Sequence, residues 1–322
     1  MIASRLAVAL LAGAVAPAQA RSADAGGDYP AKPVRIIVPY PPGGLGDLFP
    51  RALAVGLAER LGQPVIADNR PGASQIIGAQ LAAKAAPDGY TLFFGSVTSL
   101  AINVSAHRKL PYDPLKDFAP VSLCFSTPLY LITAPALPAA SVKELIALAR
   151  SRPGKLTFAS GGPGSSTHLA AELFKSMTGV DIVHIPYKGA APAVADIMAG
   201  HVDMMFEGAG ATYARDGKVR ALAVTSLKRS ASAPGLPTLI EAGVPGYEAT
   251  IWFGIVAPAA TPRAIVTRLA RDIAMVLDQP RFRERLANLD IAPSTPEAFA
   301  QHIRSEIPKW RKVIQDAKIV FE

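Results

Sequence analysis

Three short segments place glycine, hydroxyl-bearing and charged residues together. Tyr40-Pro41-Pro42-Gly43-Gly44-Leu45-Gly46-Asp47 follows the β-type run Arg35 to Pro39. Ser160-Gly161-Gly162-Pro163-Gly164-Ser165-Ser166-Thr167-His168 follows Leu156 to Ala159, and Tyr187-Lys188-Gly189 follows Ile182 to Pro186. Each reads as a strand, a glycine loop and a helix start, with Asp47 as N-cap of the first helix. Helix N-termini offer free N–H groups and partial positive charge, which suit an anion, and glycine lets the backbone approach it closely. Hydroxyls of Ser160, Ser165, Ser166 and Thr167 complete a site suited to a carboxylate. In open α/β sheets such loops lie at the carboxyl ends of strands, where ligands bind.

Other side chains extend this set. Lys188 is placed to pair with a carboxylate or to cover apolar surface with its stem; Arg51 and Arg70 are further cations. Asp203 ends a strand-like segment, where it holds water or receives an amine. Tyr40 and Phe206 suit either an apolar ligand wall or the core. His168, three residues after Ser165, braces its loop. Ser160 or Ser165 with His168 and Asp203 has the residue types of a hydrolase, but no Gly-x-Ser-x-Gly elbow occurs. His107, His168, His184, His201 and His302 are scattered without metal-ligand spacing. Neither GxxxxGK[ST] nor GxGxxG is present. No metal and no cofactor are therefore expected.

These loops need a framework, and 322 residues suffice for two domains. Half the residues are hydrophobic and 18% charged, which excludes a disordered chain. The formal charge of +8 is dispersed, and the basic-looking residues 263–322 hold 11 Lys or Arg against 8 Asp or Glu, so nucleic acid is not expected. Leu6 to Ala16 is too short to span a bilayer, and with Arg5 before it and Ala18-Gln19-Ala20 after it reads as a signal peptide, residues 1–20, cleaved after Ala20. Cys124 is the sole cysteine, so the exported chain is held by its core without an intramolecular disulfide.

From Tyr29 onward β-type runs alternate with helical ones, which predicts parallel α/β architecture: Val34 to Pro39 then Asp47 to Leu61, Val65 to Asp68 then Gln75 to Ala85, then Tyr90 to Gly95. After a stretch with Pro111, Pro114 and Pro120 the alternation resumes with Leu129 to Thr133 and continues through the second and third glycine loops. Ser141-Val142-Lys143-Glu144 reads as a capping box, and Gly179 and Gly200 suit helix C′ positions. Helices close the chain, with Pro308 expected to kink the last. Two strands ending in Ala-Pro, at Ala134-Pro135 and Ala257-Pro258, mark where the chain enters and leaves a second lobe.

Further motifs add a family resemblance: Asn69-Arg70-Pro71-Gly72-Ala73, Pro87-Asp88-Gly89-Tyr90-Thr91-Leu92, Leu110-Pro111-Tyr112-Asp113-Pro114-Leu115-Lys116-Asp117-Phe118 and Trp252-Phe253-Gly254-Ile255-Val256-Ala257-Pro258. With the three glycine loops, in this order over essentially the whole mature chain, the sequence resembles the Bug-type extracytoplasmic solute receptors, the substrate-binding proteins of tripartite tricarboxylate transporters. The resemblance implies a periplasmic-binding-protein-like Venus flytrap of two α/β lobes joined by two crossing segments. Residues 29–126 and 250–322 would form lobe 1 and residues 127–249 lobe 2. It implies a monomer that captures a small carboxylate in the periplasm (a di- or tricarboxylate, an acidic amino acid or an aromatic acid) and delivers it to membrane permease subunits without chemistry. Alternatives are an exported hydrolase and a ligand sensor for a membrane signalling protein. The ligand grip carries over to Gly43, Gly44 and Asp47 and to Ser160, Gly164, Ser165 and Ser166. Two departures bear on specificity: Gly46 stands where relatives usually have Ser or Thr, and Glu207 to Thr212 is a shortened stretch.

Overall fold

The computed structural model describes residues 29–43, 45–285 and 289–316. Residues 1–20, read from the sequence as a signal peptide, and Gly44 lie outside them.

In the first sheet, β1 (Val34–Val38), β2 (Val65–Asn69) and β3 (Thr91–Ser96) are parallel, each followed by helical structure. α1 (Leu45–Leu61) follows β1, α2 (Ile76–Ala83) follows β2, and a π-helical turn at Thr98–Ile102 with α3 (Asn103–Ala106) follows β3. β4 (Phe118–Pro128) then runs into β5 (Tyr130–Thr133), the first strand of a second sheet. That sheet continues with α4 (Val142–Ser151), β6 (Thr157–Ser160), α5 (Ser166–Thr178), β7 (Val183–Pro186), α6 (Ala190–Ala199), β8 (Met204–Glu207), α7 (Gly210–Arg215) and β9 (Arg220–Val224). The chain returns through β10 (Thr250–Pro258) and ends with α8 (Arg263–Leu277), α9 (Pro280–Arg285), β11 (Asp290–Ile291) and α10 (Pro296–Asp316).

The strand orders are β11-β4-β10-β3-β1-β2 and β7-β6-β8-β5-β9. The expected parallel sheets are mixed. β10 is antiparallel to β3 and β4, and β5 is antiparallel to β8 and β9. The cause is the double crossing: β4 carries the chain out, β6 to β9 point back, and β10 re-enters against β4. The carboxyl ends of β1 to β3 therefore face the second sheet and those of β6 to β8 face the first, which opposes the loops that follow them. This is a two-lobed Venus-flytrap fold.

Alternation along β1 sends Ile36 and Val38 to one face, against Phe49 and Leu53 of α1 and Ile273 of α8. Ile37 faces the other way, into a core with Phe93, Phe299 and Trp310. That core extends through α10 and Phe174 of α5 to Phe158 and Phe206 of the second sheet, so Phe206 is core, stacked on Tyr247. Cys124 is fully buried in β4. In α10, Glu306 Oε2 accepts from Trp252 Nε1 (3.0 Å) and Trp310 Nε1 (2.9 Å), while Lys309 pairs with Oε1 at 3.0 Å. Pro308 lies inside α10, which continues past it to Asp316.

The predicted caps form: Glu144 N–H donates to Ser141 Oγ at 3.2 Å, and Gly179 and Gly200 close α5 and α6 at φ of 67° and 76°. At the crossing, Leu129 N donates to Thr225 Oγ1 (2.8 Å), and that hydroxyl donates to Ala249 O (2.6 Å).

Candidate functional site

The first loop is held from below. α1 opens at Leu45, so Asp47 is not the N-cap; it lies in the first turn, 3% exposed. Its Oδ2 accepts from Gly43 N (3.0 Å), and its Oδ1 accepts from Arg51 Nε (2.8 Å) and Asn69 Nδ2 (2.7 Å). Burial alone would raise this carboxyl, but hydrogen bonds from Arg51, Asn69 and the Gly43 N–H prevail and lower it to about 2. Asp47 and Arg51 thus spend their charge on each other and on the loop. Asn69 Nδ2 also donates to Tyr40 O at 2.9 Å, fixing the end of β1.

Tyr40 is half-buried, its ring over Gly46: a Cβ at Gly46 would stand 2.5 Å from Tyr40 Cγ. The absence of a side chain at position 46 is thereby explained, since the ring occupies its space. Gln75 Nε2 donates to the Tyr40 hydroxyl (2.7 Å), and Ser96 Oγ donates to Gln75 Oε1 (2.9 Å). Burial pushes the phenol up to about 12 against hydrogen bonds from Ser96 and Gln75, so it stays neutral.

The second loop is braced by histidines. Ser165 is the N-cap of α5, accepting from His168 N at 3.2 Å and donating to Gly162 O at 2.7 Å. Gly164, at φ 74°, donates its N–H to His168 Nδ1 (3.1 Å), which places the imidazole proton on Nε2. Thr167 Oγ1 accepts from Gly161 N at 2.9 Å. Ser160, fully buried, meets His184 Nε2 at 2.6 Å. β6–β7 register sets Phe158 beside His184, and His184 stacks on His168 with centroids 3.9 Å apart. Burial, then the neighbouring His184 and Lys175 charges, lower His168 to about 3; burial and Lys175 lower His184 to about 4. Both rings are neutral. Ser166, at the start of α5, is partly exposed.

The third loop lies alongside. Tyr187 N donates to Ser160 O (3.1 Å), and the Tyr187 hydroxyl donates to Asp196 Oδ2 (2.6 Å). A Cβ at Gly161 would come within 3.9 Å of Gly189, the N-cap of α6. The N-termini of α5 and α6 are therefore neighbours, at the end of the second sheet that points toward the first. Lys188 is exposed and makes no ion pair among the described residues.

Asp203 stands apart. It precedes β8, at the opposite strand end from Ser160, and its Oδ2 accepts from Thr157 N (2.7 Å) and Thr157 Oγ1 (3.0 Å). At the cleft end of β8 stands Glu207, its carboxyl raised by burial and accepting from Ala209 N at 3.2 Å as the chain turns into α7.

The supports Asn69, Gln75, Ser96 and His184 escaped sequence reasoning. The signal for His184 was its alternation with Ile182 and Pro186 along a strand beside Phe158. A cavity of about 680 Å³ on the edge of the second sheet, lined by Pro135, Arg215, Arg220 and Leu236 among others, contains none of the loop residues.

A serine nucleophile is not assembled. Ser165 meets the backbone of His168, and Ser160, which does meet an imidazole, is buried. Among the described residues no group of three or more His, Cys, Asp or Glu is placed to hold a metal, and no helix is long and apolar enough to cross a membrane. Opposed carboxyl-end loops between two sheets joined by two crossings define a solute-binding protein of the Venus-flytrap class, a receptor and not an enzyme. Residues 49–319 match the tripartite tricarboxylate transporter family receptor, and the chain belongs to that family. It is 41% identical to Protein BugT of Bordetella pertussis over 293 residues, 89% of this chain and 90% of that one. Among solved structures, R. palustris Rpa4515 with adipate is 39% identical with a TM-score of 0.82, covering 91% of this chain and 99% of that one. MatC from Rhodopseudomonas palustris with bound malate is 32% identical with a TM-score of 0.77, covering 89% of this chain and all of that one.

Proposed function

We propose that this chain is a periplasmic receptor that closes on a small carboxylate, most favourably a dicarboxylate, and delivers it to the membrane permease subunits of a tripartite transporter. The observation that carries the reading is the pair of adjacent helix N-termini, α5 and α6, facing the Asp47-anchored glycine loop. First-turn amides of a helix have no intrahelical acceptor, and a carboxylate satisfies them. On this reading Gly43, Gly44 and Ser166 touch the ligand. Asp47, Ser160, Gly164, Ser165 and His168 hold the loops that do. Lys188 meets a second carboxylate, and Tyr40 lines the cleft. Asp203 locks β6 to β8. The relatives solved with adipate and malate support the ligand class. Residues 1–20 direct export.

The test is a thermal-shift screen of mono-, di- and tricarboxylates on ligand-stripped protein, since binding to the native state raises stability by RT ln(1 + [L]/Kd). Stabilisation by a dicarboxylate is expected; no shift with any acid sinks the reading.

A further inference from the structure

The wall that the first lobe offers beside the anion-holding loops is uncharged and unusually constrained. Three consecutive non-glycine residues, Ala73, Ser74 and Gln75, have φ of 46°, 50° and 74°. Left-handed backbone costs each about 1–2 kcal/mol and persists only where the surroundings enforce it. Here they do: Asn103 Nδ2 donates to Ser74 O at 2.9 Å, and the Gln75 amide is engaged at both ends, by Tyr40 and Ser96. The product of this strain is a fixed Tyr40 ring covering Gly46. No hydroxyl is left at position 46. The hydroxyls of Ser160, Ser165 and Thr167 across the cleft are bonded within their own lobe, that of Ser166 goes to the carboxylate on the same reading, and Asp47 is bonded to Arg51 and Asn69.

We infer that Tyr40 is the specificity-determining residue of the cleft, with Gln75 and Ser96 as positioning residues: its ring face selects acids with an apolar body, aliphatic or aromatic, over acids bearing a hydroxyl beside the carboxylate. This rests on the carboxylate-receptor reading. A hydroxyl laid against the ring surrenders its water without gaining a partner, and a buried unpaired polar group is penalised enough to weaken binding roughly tenfold.

Two pairs of acids differing by one hydroxyl test it: phenylacetate against mandelate, and glutarate against 2-hydroxyglutarate. Titration calorimetry of the wild type is expected to favour the hydroxyl-free member of whichever pair binds by about tenfold. In the double variant Tyr40→Ala/Gly46→Ser, which removes the ring and offers a hydroxyl in its place, the ratio falls to near one or inverts. Gln75→Gly suits the left-handed backbone and removes the side chain that holds the Tyr40 hydroxyl; it lowers the ratio, whereas a merely structural Gln75 would move the melting temperature and leave the ratio unchanged. It carries the test if the double variant does not fold. A wild type that favours the hydroxylated member, or an unchanged ratio in the variants, overturns the inference while the receptor reading stands. Failure of folded wild type to bind any acid of the broad screen overturns both.

Discussion

The imidazoles of His168 and His184 lie face to face, 3.9 Å between centroids and 12° from parallel, with Phe158 stacked on both. One takes the Gly164 N–H and the other meets Ser160, so the second glycine loop hangs on two neutral histidines. Unfolded histidine takes up its proton near 6.5, while these two do so only near 3 and 4. Between those limits the unfolded chain binds more protons, so stability falls as pH drops from about 6.5 toward 4. Melting curves from pH 7 to 4 are expected to show this slope, and His168→Gln, which keeps an acceptor and cannot titrate, to flatten it. An equal slope in both proteins would refute the assignment.

Asp47 contributes in a lower window. Its carboxyl is lowered to about 2 from 3.8, so its stabilisation is present above 3.8 and disappears as pH falls toward 2. Asp47→Ala removes the acceptor shared by Gly43, Arg51 and Asn69 and is expected to cost about 1–3 kcal/mol in urea denaturation and to weaken ligand binding. A variant with wild-type affinity would show that the loop does not need its anchor.

At Gly43 a Cβ would meet nothing within 4 Å among the described residues, and φ is 103°. Gly43→Leu projects into open space at the loop. The expected result is a loss of roughly 1–2 kcal/mol in stability from backbone strain, with ligand affinity reduced far more than that strain explains. Intact affinity would move the ligand away from this loop.

Lys188 is exposed and makes no ion pair among the described residues. Lys188→Gln is expected to lower dicarboxylate affinity about two- to fivefold, in keeping with an exposed ion pair. The difference should shrink as salt rises, because screening acts within about 10 Å at 0.1 M. Monocarboxylate affinity should change less. Equal loss for both acid types would argue against pairing with a second carboxylate.

Glu306 accepts two tryptophan N–H groups while 6% exposed. Glu306→Ala orphans both donors and is expected to destabilise by about 2–5 kcal/mol, read by denaturant unfolding. A loss below 1 kcal/mol would mean that water replaces the carboxylate.

The alternation of strands and helices, the Ser141 capping box and the left-handed Gly179 and Gly200 were legible because each is written within a few residues. The antiparallel return of β10 was not, since it depends on a strand that begins 132 positions after β4 begins coming back to pair with it, as the Phe118 and Pro258 partners show. The glycine loops were legible as strand-to-helix turns, but their supports were hidden. His184 reaches Ser160 only through β6–β7 register, and Gln75 reaches Tyr40 through backbone that rules of thumb reserve for glycine. The shift of Asp47 from N-cap to first turn is a matter of two residues, yet it converts a presumed cap into the anchor of the whole loop.

Thr225 joins the two crossings through one hydroxyl, which accepts a hydrogen bond from Leu129 N and donates one to Ala249 O. Neither connecting strand can slide without breaking a buried hydrogen bond to the other. The two strands are thereby tied into a single spine. Lobes closing about such a spine would turn like the covers of a book, with sliding along the cleft opposed, and would bring the same atoms together at every closure.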